Sequence, residues 1–225
     1  MINGKPVLGC LAWLCLGLFL AKPAGGAQLQ VIDASSGEPL ENAVIEVQLP
    51  NASPAANHTA QVTQRDANFI PHVSVVAVGS RVTFPNRDTT RHHVFSFSPA
   101  KVFDLELYLQ ETPPPVIFDQ AGVVVLGCNI HDHMQAFIVV SDAPRIVKTD
   151  ADGRVALPDL PAGRHALRIW HPRLDDTHQQ WWEGQIIQGE TRTVALDLEA
   201  RLPVPAEPSA LQERFKQALQ DREGS

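Results

Sequence analysis

Three side chains able to bind a soft metal lie together in GVVVLGCNIHDHMQAFIVV, residues 122–140: Cys128, His131 and Met134, spaced C-x2-H-x2-M. A thiolate, an imidazole and a thioether on one short loop form a soft-to-borderline donor set, which suits copper and is poorly matched to calcium or magnesium. β-Branched apolar runs flank the loop, so two strands are expected to hold it. A trigonal copper site with a weak axial thioether needs a second imidazole. VTFPNRDTTRHHVFSF, residues 82–97, offers adjacent His92 and His93. Neighbouring residues of a strand face opposite ways, so only one of the pair can point at the metal.

Cysteine usage strengthens the ligand reading. Lys5, the apolar run Val7–Ala21 and the small residues Gly25 and Ala27 form a secretory signal pattern over residues 1–27, with cleavage expected after Ala27. Cys10 and Cys15 leave with it, so Cys128 becomes the sole thiol of a protein bound for an oxidising compartment, and no internal disulfide is possible. A lone thiol there is open to oxidation unless it is buried or bound to a metal. A buried structural cysteine is the bland alternative, and His131 and Met134 beside it favour the metal.

Charge and hydropathy narrow the partners. The formal net charge is -7, and loss of Lys5 and Lys22 takes it to about -9. Such a chain repels nucleic acid and anionic lipid, and can present acidic patches to a basic redox partner. No later apolar stretch is long enough to span a bilayer, so no stable membrane insertion is expected after cleavage. A periplasmic or otherwise secreted location follows.

The elements that must position these residues are short β-type runs broken by Gly, Pro, Asn and Asp. They include LQVID, AVIEVQL, AQVTQ, SVVAVGSRVTFPN, HHVFSF, VIFDQAG, VVVLG and AFIVVSD. Spacing of about ten residues with turn signals between predicts an all-β, antiparallel sandwich. Residues 98–115 read as irregular, ending in three prolines. Residues 142–200 carry a second sandwich pattern, in which DADG reads as a hairpin turn because the run lacks the ligand positions of a calcium loop. In the tail, residues 201–225, a Pro-rich linker precedes a short helix: Ser209 is placed to cap it and Leu211, Phe215 and Leu219 share a face.

Two family resemblances attach to quoted stretches. VIDASSGEPLENAVIEV and TDADGRVALPDLPAGRHALRIWH resemble the two halves of the carboxypeptidase regulatory-like, transthyretin-like β-sandwich. Neither half buries a full sandwich face alone. The division expected is therefore 28–59 and 142–200 as the two parts of one sandwich, with 60–141 inserted between them. Two sandwiches in series are the alternative.

The inserted stretch resembles the cupredoxins, plastocyanin- and amicyanin-like members in particular. Their upstream pattern V-x-F-x-N…H-x-V is matched by Val82, Phe84, Asn86, His92 and Val94, and the short amicyanin-type loop by Cys128, His131 and Met134. The resemblance implies a Greek-key sandwich holding one type 1 copper ion, with His92, Cys128 and His131 as strong ligands and Met134 as the axial one. It places electron entry at the exposed edge of His131, through a small and transient contact with a redox partner protein. Amicyanin-like spacing also points towards partners in methylamine utilization.

The chain departs from the family in three places. His93 stands where Asn usually follows the upstream ligand, Leu126 replaces an aromatic residue two before the cysteine, and His133 lies between the two downstream ligands. His93 or His133 could join or replace an assigned ligand. His72, in the same predicted domain, is a further histidine to place. No nucleophile with its base and no phosphate-cradling glycine loop is visible, so no enzyme is read here. The function implied is a one-electron carrier, with copper binding or delivery without electron transfer as the alternative.

Overall fold

The protein is described here from a computed structural model, over residues 26–174 and 180–199. Residues 1–25 of the expected signal segment, His178 and the expected tail helix lie outside the described residues. Ala27, after which cleavage is expected, is buried and opens the first strand.

Short alternating runs become short strands. The first two are β1 (Ala27–Asp33) and β2 (Val44–Val47). The central stretch supplies β3 (Thr59–Gln61), β4 (Thr63–Arg65), β5 (Asn68–Ile70), β6 (Val73–Ala77), β7 (Ser80–Thr83), β8 (His92–Ser98), β9 (Lys101–Tyr108), β10 (Val116–Phe118), β11 (Gly122–Gly127) and β12 (Gln135–Ser141). The last five are β13 (Arg145–Lys148), β14 (Arg154–Leu157), β15 (Arg164–Trp170), β16 (Trp182–Ile187) and β17 (Thr191–Leu196). Among the described residues there is no helix, and the fold is all-β.

Strand pairing sorts these elements by segment. β1 lies between β14 and β17, and β2 pairs with β13 and β15, whose other neighbour is β16. The central strands form the order β6-β12-β11-β8-β9 and the order β10-β7-β3, with β4 and β5 as a separate hairpin. Most pairs are antiparallel, as the turn signals predict. β1–β17, β3–β7 and β6–β12 are parallel. Their members are separated by other strands in the chain, so no hairpin turn dictates their direction.

Four sheets stack face to face. Leu29, Val31 and Leu157 meet Ile45, Leu167 and Ile169 in one core. Val82 and Phe118 meet Val94, Leu126 and Ile138 in another. Between them, Val44 and Trp170 pack against Val73, Val123, Phe137 and Val139. β12 is thus apolar on both faces: Ala136, Ile138 and Val140 enter one core, Phe137 and Val139 the other. That accounts for the uninterrupted run AFIVV, where a half-buried strand would alternate.

One expectation is corrected. Within residues 98–115, read as irregular, Lys101–Tyr108 form an eight-residue edge strand against β8. Its apolar positions do alternate, but a register shift opposite His92 and Val94 leaves Glu106 and Leu107 both exposed and returns Tyr108 to the core. A bulge of this kind breaks the period-two signal. The prolines act only beyond the strand, at residues 113–115.

Candidate metal centre

β11 and β12 form an antiparallel hairpin whose register runs from Gly122 opposite Val140 to Gly127 opposite Gln135. The loop it closes, residues 128–134, begins with Cys128 and ends with Met134. Val124 and Leu126 point into the central core, so alternation carries Cys128 to the same side. Cys128 is a buried free thiol, and Met134 is buried in the same cluster. The Met134 N–H donates to the His131 carbonyl at 2.9 Å, folding the loop back so that His131 returns towards Cys128.

The third side chain arrives from β8. Among the described residues, His92, Cys128 and His131 form a group whose ligand atoms all lie within 4.8 Å of one another. Cys128 Sγ is 3.9 Å from His131 Nδ1, and the His92 and His131 ring centroids are 5.0 Å apart. A triangle with no longer edge encloses a point about 2.8 Å or less from each corner, at most about 0.5 Å beyond an ordinary metal–sulfur bond and about 0.8 Å beyond an ordinary metal–nitrogen bond.

His92 itself bears the mark of a ligand. Its side chain is 1% exposed, its Nε2 pairs with Asp88 Oδ2 at 2.7 Å, and its Nδ1 is buried with no hydrogen-bond partner. Buried polar atoms are nearly always satisfied, so an unpartnered ring nitrogen beside a thiol and a second imidazole fits a bound cation. The donor set of one sulfur and two nitrogens fits copper.

The loop before His92 is pinned by Asn86, which is 2% exposed. Its side-chain amide donates to the Thr90 and Tyr108 carbonyls, at 2.9 and 2.8 Å, and its oxygen accepts from the Asp88 N–H at 2.9 Å. Tyr108 backs this corner, donating to the Phe84 carbonyl at 2.6 Å and accepting from Gln64. Burial pushes the Tyr108 phenol up to about 12, against a lowering contribution from Gln64. Val82, Phe84, Asn86 and Val94 are all buried around the site.

The other histidines stand apart. His93 faces the opposite side of β8, with Nε2 2.5 Å from Asp104 across the strand pair and its ring against Phe95. Asp132 and His133 are exposed on the loop, with the His133 ring 6.0 Å from that of His131. His72 is exposed, against the Gln135 carbonyl and the Phe137 ring. Leu126 is fully buried, so this position packs the core.

Asp88 is the residue at this site that sequence reading misses. Burial raises its carboxyl, but N–H donors from Ala67 and Asp66 and the His92 ring outweigh this and hold it below the usual carboxylate range. The available signal is Asn-x-Asp four residues before the histidine, an ordinary turn pattern with nothing to mark it as a contact of the ring.

No family model matches the chain, and no curated protein does. Solved structures similar to part of it include a Cu(I) form of an amicyanin mutant, at 22% identity, covering 43% of this chain and 99% of that one with a TM-score of 0.35. A copper-containing nitrite reductase from Thermus scotoductus is 23% identical over 42% of this chain and 28% of its own, also at 0.35. A purple cupredoxin from Nitrosopumilus maritimus is 22% identical over 36% of this chain and 99% of its own, at 0.31. These neighbours are copper proteins by name, and at such values the likeness assigns no role to any residue of this chain.

Proposed function

We propose that the protein is a secreted, periplasmic copper protein that carries single electrons. The observation that carries this reading is the buried, unpartnered Nδ1 of His92 in a group with Cys128 and His131. His92, Cys128 and His131 would hold one copper ion, with Met134 as the weaker fourth contact. When bound, the metal supplies the Cu(II)/Cu(I) couple. The chain supplies a thiolate shielded from water and ligands fixed by two strands and a pinned loop, so that little need move when charge changes.

The residues around the centre indicate how an electron would reach it. His131 is half-buried, and Ile130 beside it is 45% exposed. An apolar edge of this size suits a brief encounter with another redox protein, and the acidic chain favours a basic one. We further read residues 60–141 as a copper-binding unit inserted into a second sandwich formed by 28–59 and 142–200.

The test is to add Cu(II) to the purified protein and record the visible spectrum and voltammogram. An intense thiolate-to-copper band, lost in Cys128→Ser, together with a reversible one-electron wave, is expected. A protein that binds only Cu(I), without colour, would overturn electron carriage in favour of copper delivery.

A further inference from the structure

The β4–β5 hairpin is joined through a two-residue loop, since Arg65 pairs with Asn68. Asp66 and Ala67 therefore make the turn, and both are left-handed, with φ of 53° and 51°. A two-residue turn with both residues at positive φ favours glycine at its second position, because only glycine avoids the Cβ clash there. This chain places alanine there. Strained backbone of this kind persists where the surroundings require it, so its contacts call for an explanation.

Both strained N–H groups point at one carboxylate. Asp66 N donates to Asp88 Oδ1 at 2.7 Å and Ala67 N to Asp88 Oδ2 at 3.0 Å. The same Oδ2 is 2.7 Å from His92 Nε2. Asp88 is fixed from behind as well: its own N–H is held by Asn86, and the Arg87 N–H donates to the Gln64 carbonyl on β4 at 2.9 Å. Strand, turn, carboxylate and imidazole thus form one connected unit, and the imidazole's open position is His92 Nδ1, on the side of Cys128 and His131 in the same ligand group. His93, paired with Asp104, also has a buried, unpartnered Nδ1, but among the described residues only His92 joins Cys128 and His131 in a ligand group.

We propose that Asp88 is a positioning residue for the metal centre: clamped by the Asp66–Ala67 turn, it keeps the His92 proton on Nε2, presents Nδ1 to copper, and as an anionic acceptor favours Cu(II) over Cu(I). This rests on the copper reading above. The physical basis is that a carboxylate behind a ligating imidazole fixes its tautomer and orientation and raises its basicity. Stronger donation and a nearby negative charge stabilise the more highly charged metal state.

Two measurements test it, the first needing no metal. In the copper-free protein, 15N-edited NMR of the His92 ring is expected to show a single tautomer protonated at Nε2. In Asp88→Ala a measurable Nδ1-protonated population is expected. A wild-type ring protonated at Nδ1, or a tautomer unmoved in Asp88→Ala, overturns the hold on His92. In the copper-loaded protein, Asp88→Asn keeps the shape and removes the charge. Its thiolate band should survive, while the preference for Cu(II) over Cu(I) falls about tenfold, a rise of about 59 mV in the one-electron potential. An unchanged potential overturns the electrostatic role. Failure of the wild type to take up copper would sink the metal reading, and the copper-free tautomer would still decide what Asp88 does to His92.

Discussion

At the scale of single residues, His92 and His93 show how one peptide bond separates two chemistries. Both histidines lie on β8 and both pair through Nε2 with an aspartate, yet His92 is buried beside Cys128 and His131, whereas His93 lies across the sheet against Asp104. His92→Ala should therefore abolish the thiolate-to-copper band, and His93→Ala should leave it nearly unchanged, as read by visible absorption after Cu(II) titration. The reverse result would place the metal on the other face of the strand. His133→Ala belongs with His93→Ala, because that ring is exposed beyond His131.

Among the elements, the hairpins are set by their turns, and Gly153 shows how narrowly. It sits at φ 68° in the turn before β14, where an added Cβ would lie 2.4 Å from the Val31 carbonyl oxygen and 2.9 Å from the Leu40 nitrogen. Those atoms are backbone, so no side chain can swing aside. Gly153→Ala should destabilise the protein by more than about 1 kcal/mol, since an incompatible backbone adds to the loss of the turn. Urea unfolding followed by circular dichroism measures it. The same scale explains the misread β9. KVFDLELY has the alternation of a strand, but the bulge at Glu106 and Leu107 shifts its phase, and the shift becomes visible only against the register of β8.

For the whole molecule, the consequential feature is the contact between the outer faces of two sheets. Trp170 on β15 is fully buried and packs on Phe137, with ring centroids 5.4 Å apart, and Phe137 lies on the strand that leaves the ligand loop. Lys148 adds a hydrogen bond to the Val73 carbonyl at 2.9 Å across the same boundary. Burial lowers the Lys148 ammonium from its ordinary value, with Glu41 acting against it. Trp170→Ala should cost about 3–5 kcal/mol, as for other large aromatic truncations in a core. Calorimetry should show one cooperative transition in the wild type and separated unfolding of the two sets of sheets in the variant. Two transitions already present in the wild type would mean that the central packing does not couple them.

What the sequence determined by itself is local. Cys128, His131 and Met134 share one loop because their spacing is short and β-branched runs flank them. Alternation on β8 requires His92 and His93 to diverge, and Gly, Pro and Asp turns mark most strand ends. These follow from chain connectivity and backbone sterics, which act over a few residues. The V-x-F-x-N…H-x-V resemblance pointed to His92, which the structure groups with the thiol; only the tertiary structure decided which strands run parallel, that β12 is covered on both faces, and that the Asp66–Ala67 turn grips Asp88 behind His92. Each depends on pairing between segments distant in the chain. Many such pairings satisfy the same alternation, and the favoured one is selected by the summed burial of all four sheets together.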